Sequence, residues 1–187
     1  MAYASRRGFL LGTLSVGGAL LTASSAHATL LRGLTLRALV ARSQRIVVVE
    51  PLDAVCRHEV IGGRRSIVTD TRVLAHEYWA EGSELELTVR TLGGRLDGVG
   101  ELVDGQPRLE LGQRSVAFLT LGRNGQQWWT TGMAQGNFPL TGDGEASLLQ
   151  ASRELPSIVD LEHSAVQRLV GQKLSVAREL VHQARAK

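Results

Sequence analysis

Ile46-Val47-Val48-Val49 is the run on which the fold turns. Four consecutive β-branched or aliphatic side chains leave no wet face, so the run predicts a strand buried on both sides, and Pro51 just beyond it predicts a bulge or an edge position. From there Leu52, Ala54, Cys56 and His58 share one parity up to Gly62-Gly63, and Ile67, Thr69, Thr71 and Val73 return. This pattern is a long hairpin with His58 opposite Ile67. Leu85, Leu87 and Val89 then alternate with Glu84, Glu86, Thr88 and Arg90, which predicts a strand with one buried and one wet face. Gly93-Gly94, Asp97-Gly98, Gly100, Asp104-Gly105 and Pro107 read as a connection without regular structure. Val116-Ala117-Phe118-Leu119 predicts a fourth strand buried on both sides, and Asn124-Gly125 a hairpin turn into a fifth running from Trp128 through Met133 to Phe138. Five strands around one apolar interior, over residues 46–140, predict a mainly β fold: a small five-stranded barrel.

The flanks follow a helical grammar. Within residues 29–45, Thr35 is placed to cap a short helix whose apolar face is Leu36, Leu39 and Val40, and Ser43 lies where the chain leaves it. Residues 141–187 predict a helical segment packed on the barrel. Val166, Leu169 and Val170 share a face ahead of a C-terminal Gly171, and Ser175 is placed to cap a last helix carrying Val176, Leu180 and Val181.

Residues 1–28 read as a leader. Ser5-Arg6-Arg7-Gly8-Phe9-Leu10 precedes an apolar stretch ending at Leu21, and Ala26-His27-Ala28 supplies small residues for cleavage after Ala28. Arg6, Arg7, Phe9 and Leu10 resemble a twin-arginine export signal, which implies passage through the twin-arginine translocase and a periplasmic or secreted protein. The apolar stretch falls short of the roughly 20 residues that span a bilayer, so no stable membrane insertion is expected after cleavage.

The whole chain has 187 residues, 21 basic and 18 acidic, for a net charge of +3. Removing the leader takes Arg6 and Arg7 with it, so a mature chain beginning at Thr29 has almost no net charge. That argues against a general nucleic-acid binder, which needs a basic excess. Cys56 is the single cysteine, so no internal disulfide forms and a buried, inert thiol is expected.

Cys56, His58-Glu59 and His76-Glu77 have the side chains of a zinc site. The hairpin argues against it. With His58 opposite Ile67, His76 lies nine residues farther along the return strand, about 30 Å at 3.3 Å per residue. His58, Glu59 and His76 are thus poorly placed as ligands, and no cofactor is expected. There is no G-x-S-x-G nucleophile turn, and the glycines at 93, 94, 98 and 100 lead to Pro107 rather than into a phosphate-binding helix. Trp128-Trp129 is more informative: neighbours on a strand face opposite ways, so an inward indole leaves the other outside as a platform for a partner, a sugar or a base.

Two family resemblances add to this reading. Leu34-Thr35-Leu36-Arg37-Ala38-Leu39-Val40, Ile46-Val47-Val48-Val49, Thr88-Val89-Arg90-Thr91-Leu92-Gly93-Gly94 and Gly132-Met133-Ala134-Gln135-Gly136-Asn137-Phe138 look like an uncharacterised family of exported bacterial proteins, which implies export and no particular reaction. The order of short helix, β-branched strand, long hairpin, charged strand and Gly112-Gln113-Arg114 before Val116 is similar to the netrin and tissue-inhibitor-of-metalloproteinase modules. That resemblance implies an OB-type barrel. The animal inhibitors start with a cysteine whose amine and carbonyl reach the protease zinc; here the residue is Thr29, whose free amine is the counterpart. The expectation is an exported, non-catalytic binding module that engages or inhibits a secreted protease or another envelope protein, with Trp128, Trp129, Asp97 and Thr29 as contacts. The competing readings are a metal-assisted hydrolase using His58, Glu59 and His76, and a module binding cell-wall glycans through its outward tryptophan.

Overall fold

A computed structural model describes residues 31–186. The expected signal residues Arg6, Arg7, Phe9, Leu10, Ala26 and Ala28, and the expected mature N-terminus Thr29, lie outside the described residues. In chain order the elements are β1 (Leu31–Arg32), α1 (Leu36–Arg42), β2 (Arg45–Ile61), β3 (Arg64–Ala80), β4 (Glu86–Leu92), β5 (Gly94–Leu96), β6 (Val99–Glu101), β7 (Ser115–Leu121), β8 (Trp128–Thr130), β9 (Asn137–Thr141), β10 (Leu148–Leu149), β11 (Ile158–Val159), α2 (Ala165–Leu169) and α3 (Leu174–Arg185). The fold is mainly β, with short helices. No helix among the described residues is long and apolar enough to cross a membrane.

β2 and β3 pair antiparallel along their length, with His58 opposite Ile67 as the turn at Gly62-Gly63 requires. β4 adds to β3, and β7 to the first five residues of β2. β8 pairs parallel with β4 and antiparallel with β7. Pairing therefore runs through β2, β3, β4, β8 and β7 and returns to β2, while β9 and β10 extend the seven-stranded sheet beyond β7.

Pleating sorts the apolar residues into two clusters, because successive side chains on a strand face opposite ways. Val47, Val49, Val73, Leu87, Val89, Ala117 and Leu119 pack together inside the ring of pairings. Ile46, Val48, Val116 and Phe118, of opposite parity, face Leu36, Leu39 and Val40 of α1, Val166 and Leu169 of α2, and Ala177 and Val181 of α3. The Thr35 hydroxyl accepts the Ala38 N–H at 3.1 Å and starts α1; Gly171, at φ 79°, ends the turn after α2. Arg178 fastens α3 to the sheet, donating to Glu145 at 2.7 Å and to Glu77 at 3.0 Å.

Several local expectations differ. The strand expected from Trp128 to Phe138 is two strands, β8 and β9. Consecutive left-handed residues, Gly132 at φ 69° and Met133 at φ 60°, break it into a tight 3₁₀ turn over Met133–Gly136. The glycine-rich connection contains a regular element after all, the β5–β6 hairpin. Asp97 at φ 51° and Gly98 at φ 79° supply the two left-handed residues that a two-residue hairpin turn needs. The C-terminal segment also contributes strands, β10 beside β9 and β11 parallel to β1. Ser175 does not cap α3. The helix starts at Leu174, whose N–H donates to Ser147 O at 2.8 Å, so tertiary pairing sets that end.

Phe118 and Phe138 meet edge to face, centroids 5.8 Å apart, in the helix-facing cluster. Phe118→Ala is expected to cost about 3–5 kcal/mol in urea unfolding. Leu85→Ala, at an exposed site, is expected to change stability by no more than about 0.5 kcal/mol.

Candidate functional site

β2 and β3 are 17 residues each, longer than the sheet they share with β4 and β7, so one end of the hairpin runs past the ring. At that end Cys56, Thr69, Thr71 and Thr91, on the ring's inward parity, form one side of a cleft of about 680 Å³. The β5–β6 hairpin and the segment from Leu102 to Leu109 form the other side. Gly94, at φ 136°, makes the close approach possible: a Cβ there would run into Thr69 Oγ1 and stand 2.8 Å from Cys56 Sγ. Thr69 Oγ1 donates to Gly93 O at 2.7 Å, which leaves it to accept from the Cys56 thiol at 3.3 Å. The half-buried thiol is thus hydrogen-bonded into the cleft wall. Glu101 accepts the Ile67 N–H at 2.6 Å and fixes the returning strand of the small hairpin. Gln106 accepts the Leu92 N–H at 3.3 Å, and Glu154 from the C-terminal segment accepts the Arg108 N–H at 3.3 Å. The cleft therefore combines apolar walls at Leu92, Val103, Pro107 and Leu109 with threonine hydroxyls, glycine backbone and charged groups at its mouth.

The opposite face of the hairpin carries a charge network. Arg90 grips Asp70 bidentately, Nε to Oδ1 at 2.6 Å and Nη2 to Oδ2 at 2.9 Å, and its Nη1 reaches Glu59 at 2.9 Å. Arg57 contacts Asp70 and lies 3.5 Å from Glu59. Only 3% of the Arg90 side chain is exposed. This overturns the expected wet face of β4 at Arg90: the residue is buried where β8 pairs alongside it, and two carboxylates compensate the charge. Burial pushes the Asp70 carboxyl above the usual carboxylate range, against the opposing pull of Arg57.

The same network pairs Glu59 with Arg90 and Arg57. His76 bonds to Glu50 at 2.8 Å, and exposed His58 stays at its position opposite Ile67, so the hairpin does not bring His58, Glu59 and His76 together. No group of three or more His, Cys, Asp or Glu able to hold a metal ion occurs among the described residues.

Trp128 packs against the inner cluster, with the Arg45 guanidinium 5.1 Å from its ring centroid. Trp129 lies against the β7–β8 turn, its indole nitrogen 2.7 Å from where a Gly122 Cβ would be. Both rings are half-buried. Trp128 lines a second cleft, of about 650 Å³, with Arg45, Glu84 and Arg185. Arg45 and Cys56 are eleven residues apart on β2, roughly 36 Å of extended strand, so the tryptophan and the Asp97 hairpin occupy opposite ends. In the second cleft the backbone N–H groups of Ser83 and Glu84, then Arg45, lower the Glu84 carboxyl to about 2. Tyr78, raised by burial and then by Glu84, donates to Glu84 O at 2.9 Å. Sequence reading missed the 680 Å³ cleft because its lid is the unrecognised β5–β6 hairpin; the Asp97-Gly98 pair was the signal for it.

No family model, curated protein or solved structure matches the chain.

Arg90→Ala removes the bidentate partner of buried Asp70, leaving it only Arg57, and is expected to cost about 1–3 kcal/mol. Pairing Arg90→Met with Asp70→Leu is expected to recover part of that loss in the same chemical-denaturation assay. Glu84, depressed below its ordinary 4.5 to about 2, stabilises the fold above pH 4.5 and loses that contribution as pH falls toward 2. Glu84→Gln is therefore expected to be the less stable protein at neutral pH, with the gap closing between those values when unfolding is measured across a pH series.

Proposed function

We propose that the chain is an exported binding module built on an OB-type five-stranded barrel, and that it engages a secreted or envelope protein through the cleft at the hairpin end. Its most specific form is engagement of a secreted protease. The barrel reading is supported by the order of pairing. Of the five strands in the ring, the fourth returns to the first while the last closes between the third and the fourth, as in the Greek-key closure of OB barrels. The aliphatic filling of the ring supports a scaffold that presents a surface. The export reading rests on Arg6-Arg7-Gly8-Phe9-Leu10 and the small residues at Ala26 and Ala28.

The observation that carries the binding role is the cleft itself, a concavity of about 680 Å³ between the inward face of the long hairpin and the β5–β6 hairpin. The inhibitor-like form rests on the order of the elements, a short helix, a long hairpin and then the charged strand β4.

Immobilised protein exposed to periplasmic and secreted fractions is expected to retain a defined protein and, where that protein is a protease, to slow it. Leu102→Asp alters an exposed residue of the cleft wall and is expected to weaken retention at least tenfold, about 1.4 kcal/mol. Retention of nothing, with every protease activity unchanged, would end this reading.

A further inference from the structure

Beyond Pro51 the outer edge of β2 has no strand paired to it among the described residues. Its first five residues pair with β7, and the Gly112 N–H donates to Pro51 O at 2.9 Å. From there to the tip, β3 is the only strand hydrogen-bonded to β2 among the described residues. The stretch from Asp53 to Ile61 is about 30 Å of extended chain. A row of unpaired N–H and C=O groups is a template for another strand, and proteins commonly blunt such edges with proline, lysine or a covering loop. This stretch, Asp53-Ala54-Val55-Cys56-Arg57-His58-Glu59-Val60-Ile61, contains neither proline nor lysine. Arg57 and Glu59 are drawn into the network with Asp70 and Arg90, while Val55 and Val60 are 61% and 70% exposed.

We propose that the outer edge of β2, from Asp53 to Ile61, takes an extended acidic segment of a partner protein as an added strand. Strand addition draws affinity from main-chain hydrogen bonds and selectivity from alternate side chains. Val55 and Val60 offer apolar contact along the edge. Arg64 and Arg65, on β3 across from Ile61 and Val60, are exposed at the tip, have no ion-pair partner among the described residues, and supply charge that selects carboxylates at that end of the added strand. A second copy of this chain is the poorer occupant. The midpoint of the stretch is Arg57, so symmetric antiparallel self-pairing sets two Arg57 side chains opposite each other, a destabilising cross-strand pair. This surface lies on the edge of the hairpin and does not require the cleft to be occupied.

The test adds a labelled nine-residue peptide of alternating valine and glutamate to the full chain. Fluorescence anisotropy is expected to show binding that weakens with salt. The lysine-for-glutamate peptide and a proline-interrupted glutamate peptide are expected to bind at least tenfold more weakly. Arg64→Glu with Arg65→Glu, both at exposed positions, is expected to lose at least tenfold toward the glutamate peptide. Hydrogen exchange is expected to slow at amides within residues 53–61 and to stay unchanged in β7. Comparable binding of all three peptides, absence of added protection at 53–61, or concentration-dependent dimerisation that protects those amides without peptide would each overturn the proposal.

Discussion

Two-sided burial of the run from Ile46 to Val49 is the constraint on which the structure depends. Its odd members fill the ring of pairings and its even members meet the helices, so one strand belongs to both apolar clusters at once. β7 repeats the arrangement through Ala117 and Leu119 on one side and Val116 and Phe118 on the other. Each such side chain contributes on the order of 1.5–3 kcal/mol by leaving water. A slip of one residue between β2 and β7 exchanges the two sets and mismatches both clusters together. The helices are thereby tied to one sheet register, and α1, only seven residues long, is stable because Leu36, Leu39 and Val40 have that face to cover.

Beyond the doubly buried run, the hairpin combines buried Ile67, Val68 and Val73 of β3 with a polar network. Arg90, Asp70, Glu59 and Arg57 bring two positive and two negative charges together, so the burial of Arg90 is compensated by bidentate and shared hydrogen bonds. A buried pair of this kind adds little net stability over apolar groups, because desolvation opposes the Coulomb attraction. Its effect is on register. Asp70 faces Arg90 across the β3–β4 ladder, and a one-residue slip would turn Arg90 toward Val89's side, into the aliphatic cluster. The cost of that misplaced charge exceeds the cost of the network itself.

What the sequence disclosed was what local chemistry decides. The β-branched runs, the Gly62-Gly63 turn and its register, the Thr35 cap and the left-handed Gly171 all depend on neighbouring residues, and each stands where its pattern indicated. What it did not disclose was set by distant partners. Arg90 looks like an outward residue until β8, 38 residues later, pairs beside it. Ser175 looks like a cap until Ser147 fixes the start of α3 instead. β10 and β11 are two residues each and exist only through β9 and β1. The cleft was hidden for the same reason, since Cys56 and Thr69 stand 38 and 25 residues ahead of Gly94 and approach it closely because it carries no Cβ. Glu59 shows the converse hazard: a residue type suited to metal binding was already committed to a guanidinium.

The long hairpin has two halves with different obligations. From Ile46 to Val49, β2 is paired on both edges and buried on both faces, so any partner there would have to displace the protein's own core. From Asp53 to Ile61 it is paired, among the described residues, on one edge only, and Ala54, Val55, Arg57, His58 and Val60 are all exposed. The register shift between Pro51 and Asp53 marks the change, because a bulge redirects a strand and ends pairing on its outer side. On β3 the distal half still buries Ile67 and Val68, so it is β2 that carries the exposed side chains there, and the cleft and the open edge both belong to that half. Two-sided burial at one end of a continuous strand and an unpaired edge among the described residues at the other is a division that keeps the aliphatic core apart from the exposed half of the hairpin.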